Sequence, residues 1–125
     1  MNLLKGQKFL KQKEFGKALE IFKKMEKKSI KDKRIFFYLG LTYFELNKYD
    51  KSIDYYNKFL NEQPNSLGAL YNLALVKQVV GDLKHAKEIY LKLLNINRLN
   101  IRAYYGLYML DSDFLSDELF WDLLQ

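Results

Sequence analysis

The stretch "YLGLTYFELNKYDKSIDYYNKFL", residues 38–60, places large apolar side chains on more than one side of any helix drawn through it. It contains one glycine and no proline, so little in its backbone chemistry opposes helix formation. A single amphipathic helix needs one apolar stripe to face a core. Two apolar faces therefore predict two sets of contacts, one of which is available to something other than this chain.

Composition limits the class of protein. The chain has 125 residues, of which 49% are apolar and 29% charged, as expected for one globular domain. Cysteine is absent, which excludes disulfides, thiolate catalysis and thiolate metal sites. Lysines interrupt the apolar residues near the N-terminus, and the longest apolar run, residues 35–41, is too short to span a bilayer. We therefore expect a soluble cytoplasmic protein.

Charge is distributed unevenly along the chain. Residues 1–102 contain all 21 lysines and arginines and ten of the 15 acids, which gives a net charge of +11. Residues 111–125 contain the other five acids and no base, which gives −5. Such asymmetry is typical of a nucleic-acid-binding region or of a tail that meets the body of its own protein.

Similar residues recur when the sequence is compared with itself at a shift of 34 residues, and small and large side chains keep to separate columns. The clearest columns are Gly6, Gly40 and Ala74; Ala18, Ser52 and Ala86; Phe22, Tyr56 and Tyr90; and Met25, Phe59 and Leu93. Small residues recur where two helices must approach closely, and large residues recur where a gap must be filled. The sequence therefore predicts repeated helix pairs.

Turn signals fall in the middle and at the end of each repeat. Asn47 and Gly81 share the column where a left-handed residue can end the first helix, and Lys13 holds it in the first repeat. Pro64 closes the second repeat, and Ser66 is placed to cap the next helix. Each repeat is predicted to form a helix, a turn and a second helix.

These residues resemble the tetratricopeptide repeat (TPR) family, whose 34-residue pattern has a large residue, Leu-Gly and Tyr, then Ala, an aromatic, an apolar residue and Pro. The matches in residues 33–66 are Phe36, Leu39, Gly40, Tyr43, Tyr56, Phe59 and Pro64, with Ser52 at the alanine position. Those in residues 67–100 are Leu70, Leu73, Ala74, Ala86, Tyr90 and Leu93.

The resemblance implies an all-α, right-handed solenoid of antiparallel helix pairs forming a single domain over residues 1–125. Its three full repeats would cover about residues 1–32, 33–66 and 67–100, and a degenerate C-terminal pair would cover 101–125. In that last repeat Tyr104 and Leu107 fit the pattern, whereas Tyr108 replaces the small residue and Asp111 the aromatic.

The first helices of such a solenoid line a concave face, so the ligand site is expected there. When the residues of the repeat columns, which are predicted to pack between helices, are set aside, a second apolar stripe is left on these first helices. The predicted groove residues are Phe37, Leu41, Phe44, Tyr71, Asn72, Leu75, Arg102, Tyr105 and Met109. An apolar patch of this extent usually meets a partner, although the same residues could simply thicken the core.

Chaperone-binding TPR proteins hold a carboxylate with Lys and Asn on one first helix, Asn on the next, and Lys and Arg on the third. The matching positions here are Phe37, Leu41, Asn72, Arg102 and Gly106, of which only Asn72 and Arg102 suit. This clamp is therefore not predicted. We expect a protein or peptide partner that is amphipathic and acidic.

Other classes of function are less consistent with the sequence. His85 is the only histidine and lies between lysines, which is typical of a solvated helix face rather than a catalytic or metal site, and no cofactor is predicted. Residues 5–34 contain twelve bases and four acids, so a basic nucleic-acid accessory protein is an alternative. A self-associating scaffold part is another.

The segment "LSDELFWDLL", residues 115–124, is predicted to form an acidic amphipathic helix with Ser116 as its N-cap. Its predicted apolar contact residues are Leu119, Phe120, Trp121 and Leu123. One interpretation is that this helix caps the core, as solenoid ends require. The other is that it enters a groove of its own or of another copy.

Overall fold

The computed structural model describes residues 2–28 and 32–110, and it divides the chain into two compact units, Met1–Pro64 and Asn65–Gln125. The helices of the first unit are α1 (Asn2–Lys11), α2 (Phe15–Lys28), α3 (Arg34–Glu45) and α4 (Tyr49–Glu62). Those of the second unit are α5 (Leu67–Val79), α6 (Leu83–Ile96) and α7 (Ile101–Leu110). The prediction of an all-α chain built from sequential antiparallel helix pairs is confirmed.

Within each unit, consecutive helices pack against one another. In the first unit α1 pairs with α2 and α3 with α4, α2 also contacts α3, and α1 reaches α3. In the second unit α5 pairs with α6, α6 contacts α7, and α5 reaches α7. The contacts between α1 and α3 and between α5 and α7 bring together the first helices of consecutive repeats.

The three turns inside the helix pairs share one geometry. Lys13, Asn47 and Gly81 all have left-handed φ values, of 60°, 61° and 87°, so the column predicted to end the first helix does so in each of the three helix pairs that the structure describes. The residue after each one donates its N–H to a carbonyl five residues back: Glu14 to Phe9, Lys48 to Tyr43 and Asp82 to Lys77, all at 2.8–2.9 Å. This is the Schellman pattern, which satisfies carbonyls at the end of a helix.

The predicted helix start at Ser66 is also confirmed. Its side-chain oxygen accepts a hydrogen bond from the Ala69 N–H at 3.3 Å, which satisfies one of the free donors in the first turn of α5. Asp82 does the same for α6 through the His85 N–H. His85 itself is solvent-exposed, as predicted.

In the first two helix pairs, the two helices meet where an aromatic ring lies against a residue without a Cβ. A Cβ added at Gly40 would come within 2.9 Å of the Tyr56 ring, and one at Gly6 within 2.4 Å of the Phe22 ring. Ser52, which replaces the alanine of the family pattern, is fully buried and donates its hydroxyl to the Gly40 carbonyl at 2.7 Å. The hydroxyl is therefore tolerated because it finds a partner on α3.

A polar network joins α2 to α4. Lys23 donates to Glu26 at 2.8 Å and to the Tyr55 hydroxyl at 3.1 Å, and Tyr55 donates to Glu26 at 3.0 Å. The hydrogen bond to Glu26, followed by that to Tyr55, raises the pKa of Lys23. Burial alone would raise the pKa of Glu26, but the hydrogen bonds from Lys23 and Tyr55 outweigh it and lower that pKa. Ionised Glu26 therefore stabilises the fold above the ordinary carboxyl pKa, and this contribution is lost as the pH falls through the lowered value.

The ring contacts at the glycines give a direct test of the packing. Gly40→Ala should lower the free energy of unfolding by about 1–3 kcal/mol, because the new methyl group overlaps the buried Tyr56 ring. Gly16→Ala is the matched control, since a Cβ there meets nothing within 4 Å and alanine favours the helix. Urea denaturation of both variants checks this, and equal stability would contradict the packing account.

Candidate peptide-binding clefts

A cleft of about 470 Å³ lies between α1 and α3 in the first unit. Its lining combines apolar and cationic side chains: Leu4, Gln7, Lys8, Leu10, Lys11, Tyr38 and Leu41. Leu4 is 71% exposed and Leu10 is half-buried, so the cleft offers apolar surface that this unit leaves uncovered. Such a volume is within the range of ligand-binding clefts in proteins, roughly 300–1,000 Å³.

The wall of this cleft on α3 is held firmly by Tyr38. Its hydroxyl accepts a hydrogen bond from the Gln7 side-chain amide on α1. Its ring stacks on Phe22 with 5.6 Å between centroids and meets the edge of Phe37 at 5.5 Å. Because the ring and the hydroxyl both have partners, Tyr38 is positioned before any ligand arrives.

A second cleft, of about 320 Å³, lies between α5 and α7 in the second unit. It is lined by Leu67, Gly68, Tyr71, Asn97, Leu99, Asn100, Ile101 and Arg102. Leu99 and Ile101 are 71% and 78% exposed. Both clefts thus lie between the first helices of consecutive repeats, but the second is lined from the N-terminal ends of α5 and α7 and from the loop before α7.

Arg102 of α7 and Tyr71 of α5 contact each other in the lining of the α5–α7 cleft. The Arg102 guanidinium carbon is 5.4 Å from the centre of the Tyr71 ring, a cation–π distance. On α6, Tyr90 contacts the Tyr71 ring at 6.3 Å and donates its hydroxyl to Gln78 at 3.0 Å. Burial raises the pKa of Tyr90 to about 12. A continuous set of contacts therefore supports the cleft wall from inside the unit.

The charges around both clefts have one sign. Lys8 and Lys11 lie at the first cleft and Arg102 at the second, and none of the described lining residues of either cleft is acidic. A carboxylate bound at either cleft would therefore meet attraction without repulsion from the lining. Chemically, the arrangement suits apolar side chains flanked by acids.

The predicted groove residues differ in location: some line one of the two clefts, and others lie outside both. Leu41 lines the α1–α3 cleft, and Tyr71 and Arg102 line the α5–α7 cleft. Asn72 and Leu75 are half-buried on α5, whereas Tyr105 and Met109 are exposed on α7, at 60% and 56%. A single groove containing all nine residues stays a prediction.

Phe37 and Phe44 make contacts that the sequence did not reveal. The Phe37 ring lies against Tyr56 and Phe59 of α4, with centroids 5.9 and 5.6 Å away, so much of its surface serves the helix pair. The Phe44 ring is 5.7 Å from Tyr49 beside the α3–α4 turn. Both are half-buried, and we expect a change at either to affect stability as well as binding.

Sequence reasoning missed Leu4, Leu10, Leu99 and Ile101, which line the clefts from the ends of helices and from the α6–α7 loop. One signal in the sequence could have identified them: these apolar residues lie outside the repeat columns that predict helix packing. The segment predicted to cap the core or enter a groove, with Leu119, Phe120, Trp121 and Leu123, lies outside the described residues. Across residues 2–28 and 32–110, no His, Cys, Asp or Glu cluster could hold a metal, and no helix is long and apolar enough to cross a membrane.

Comparison with known families gives a consistent result. Family models described as tetratricopeptide repeat match residues 34–66 and 67–98, almost the intervals predicted for the second and third repeats. The uncharacterized protein ycf37 of Guillardia theta is 32% identical over 81 residues, which cover 65% of this chain and 39% of that protein. The chain therefore aligns with well under half of this relative's length.

Solved structures show the same fold. The first TPR of Spaghetti (RPAP3), bound to the HSP90 peptide SRMEEVD, has a TM-score of 0.80 at 20% identity, covering 90% of this chain and 89% of the other. PcrH, in complex with the chaperone binding region of PopD, has a TM-score of 0.76 at 18% identity, covering 89% and 86%. At these identities the likeness establishes the fold alone.

The raised pKa of Tyr90 predicts a loss of stability in alkali. The unfolded chain releases this proton near the ordinary value of 10.0, whereas the folded chain keeps it until about 12. Stability should therefore fall as the pH rises from 10 towards 12, and it should fall less in Tyr90→Phe. Urea denaturation at several pH values checks this, with Tyr105→Phe on the exposed side of α7 as the control. Parallel pH profiles for wild type and Tyr90→Phe would contradict it.

Proposed function

Because the chain belongs to the tetratricopeptide repeat family, we propose that it is a non-enzymatic protein-interaction module that binds an amphipathic, acidic peptide or helix. The observation that carries the proposal is the shared chemistry of the two clefts. Each one combines exposed apolar side chains with lysine or arginine and has no acid among its described lining residues. A partner with leucine, phenylalanine or tryptophan beside aspartate or glutamate complements both features.

The alternative of a pure carboxylate clamp is less well supported. Of the five clamp positions, Asn72 and Arg102 carry suitable groups, but the Arg102 guanidinium already lies over the Tyr71 ring. The position that would need the lysine on the first of the three helices is Phe37, whose ring packs on α4. Apolar contacts would therefore provide most of the affinity, and the cations would guide approach and orientation.

The comparisons support a peptide-binding use of this fold. The first TPR of Spaghetti was solved with an HSP90 peptide, and PcrH with a region of PopD. The HSP90 peptide and the PopD region are partners of those two proteins. For this chain the cleft chemistry favours a ligand held by apolar side chains along its length over one held by its terminal carboxylate alone.

A binding experiment with two designed peptides tests the proposal. A short fluorescent helix with leucine and phenylalanine on one face and glutamate on the other should bind the full chain, and its counterpart with lysine for glutamate should not. Leu4→Asp and Ile101→Asp should each weaken binding about tenfold or more, because an apolar contact worth roughly 1.5–3 kcal/mol is removed. Fluorescence anisotropy gives the dissociation constants.

The matched control is Leu91→Asp, an exposed leucine on α6 that lines neither cleft. It should leave peptide binding unchanged, and all three variants should keep their helical circular dichroism. Equal binding of the glutamate and lysine peptides would overturn the charge argument. A DNA duplex that binds more tightly than the peptide, with a steep loss at high salt, would favour the nucleic-acid alternative.

A further inference from the structure

The α1–α3 cleft has unbalanced charge. Lys8 and Lys11 are exposed at its edge, and neither takes part in an ion pair with the described residues. Leu4 beside them is among the most exposed apolar side chains of the first unit. In the α5–α7 cleft, by contrast, Arg102 is already engaged with Tyr71. The α1–α3 cleft is therefore the stronger site for an acidic apolar ligand.

The chain itself contains a segment of the matching chemistry. Residues 111–125 carry five acids and no base, and leucines recur at 115, 119 and 123, one helical turn apart. Phe120 and Trp121 add two large aromatic side chains. This segment lies outside the described residues.

We propose that residues 115–124 of one copy occupy the α1–α3 cleft of a second copy. The inference rests on the proposed function, because it assigns an occupant to one of the clefts described there. The cleft volume of about 470 Å³ accommodates a few apolar side chains, and the acids of the segment then lie beside Lys8 and Lys11. Since each copy has one α1–α3 cleft and one such segment, a reciprocal exchange gives a closed pair with two identical contacts.

Trp121 is the only tryptophan, so its fluorescence in the full chain reports on this segment alone. In the wild type its emission should be blue-shifted, and dilution should shift it to the red as the pair separates. The double variant Lys8→Glu with Lys11→Glu should raise the dissociation constant of the pair about tenfold or more, because attraction becomes repulsion. Lys5→Glu with Lys28→Glu is the control, because it changes the net charge equally outside the cleft.

Charge exchange makes the test specific. Asp117→Lys with Glu118→Lys should weaken the pair as strongly as the cleft variant does. Combining all four changes should restore it. Mixing the cleft variant with the segment variant should also give pairs, because one contact is then the wild-type one and the other joins the two reversed charges, as measured by light scattering and Trp121 emission.

Three outcomes would overturn the inference. The first is a wild-type chain that stays monomeric at all concentrations. The second is Trp121 emission that is the same in the wild type and in the Lys8→Glu, Lys11→Glu variant. The third is blue-shifted Trp121 emission that does not depend on protein concentration. The third would indicate that the segment is covered within its own copy. If the designed glutamate peptide still binds and is weakened by Leu4→Asp, the proposed function stands while this inference fails.

Discussion

The close contact between an aromatic ring and a glycine is the constraint on which the helix packing depends. The Phe22 ring lies where a side chain at Gly6 would be, Tyr56 does the same at Gly40, and Tyr90 at Gly106. Each contact fixes how near two helices approach and which face of the first helix turns inward. Once those faces are committed to packing, the remaining faces of α1 with α3, and of α5 with α7, are left to form the clefts.

Much of the fold could be predicted because its determinants are local and repeated. The glycine and aromatic columns indicated which helices meet, and the left-handed column at Asn47 and Gly81 marked the turns. Lys13 was the weakest of these signals, yet it adopts the same conformation as its counterparts. The hydrogen bonds of the flanking helices therefore impose the turn even on a residue that does not favour it.

The clefts were harder to predict because they depend on side-chain directions that a repeat pattern does not specify. Phe37 belongs to the apolar stripe by its spacing, but its ring packs against Tyr56 and Phe59 of the same helix pair. Gly106 takes the close contact with Tyr90, while Tyr108 remains exposed. Leu4 and Ile101 lie at helix ends, where one residue of difference in the helix start changes the exposed face.

Phe22 and Tyr90 each serve two neighbours. Phe22 packs on Gly6 of its own helix pair and stacks on Tyr38 of the next repeat, and Tyr90 lies between Tyr71 and Gly106 in a similar way. A ring shared in this manner couples the two contacts energetically, so substitutions on its opposite sides should not have additive effects on stability. Within each unit, adjacent repeats are thereby joined into one cooperative element, in which the opening of a helix pair loosens the wall of the adjoining cleft.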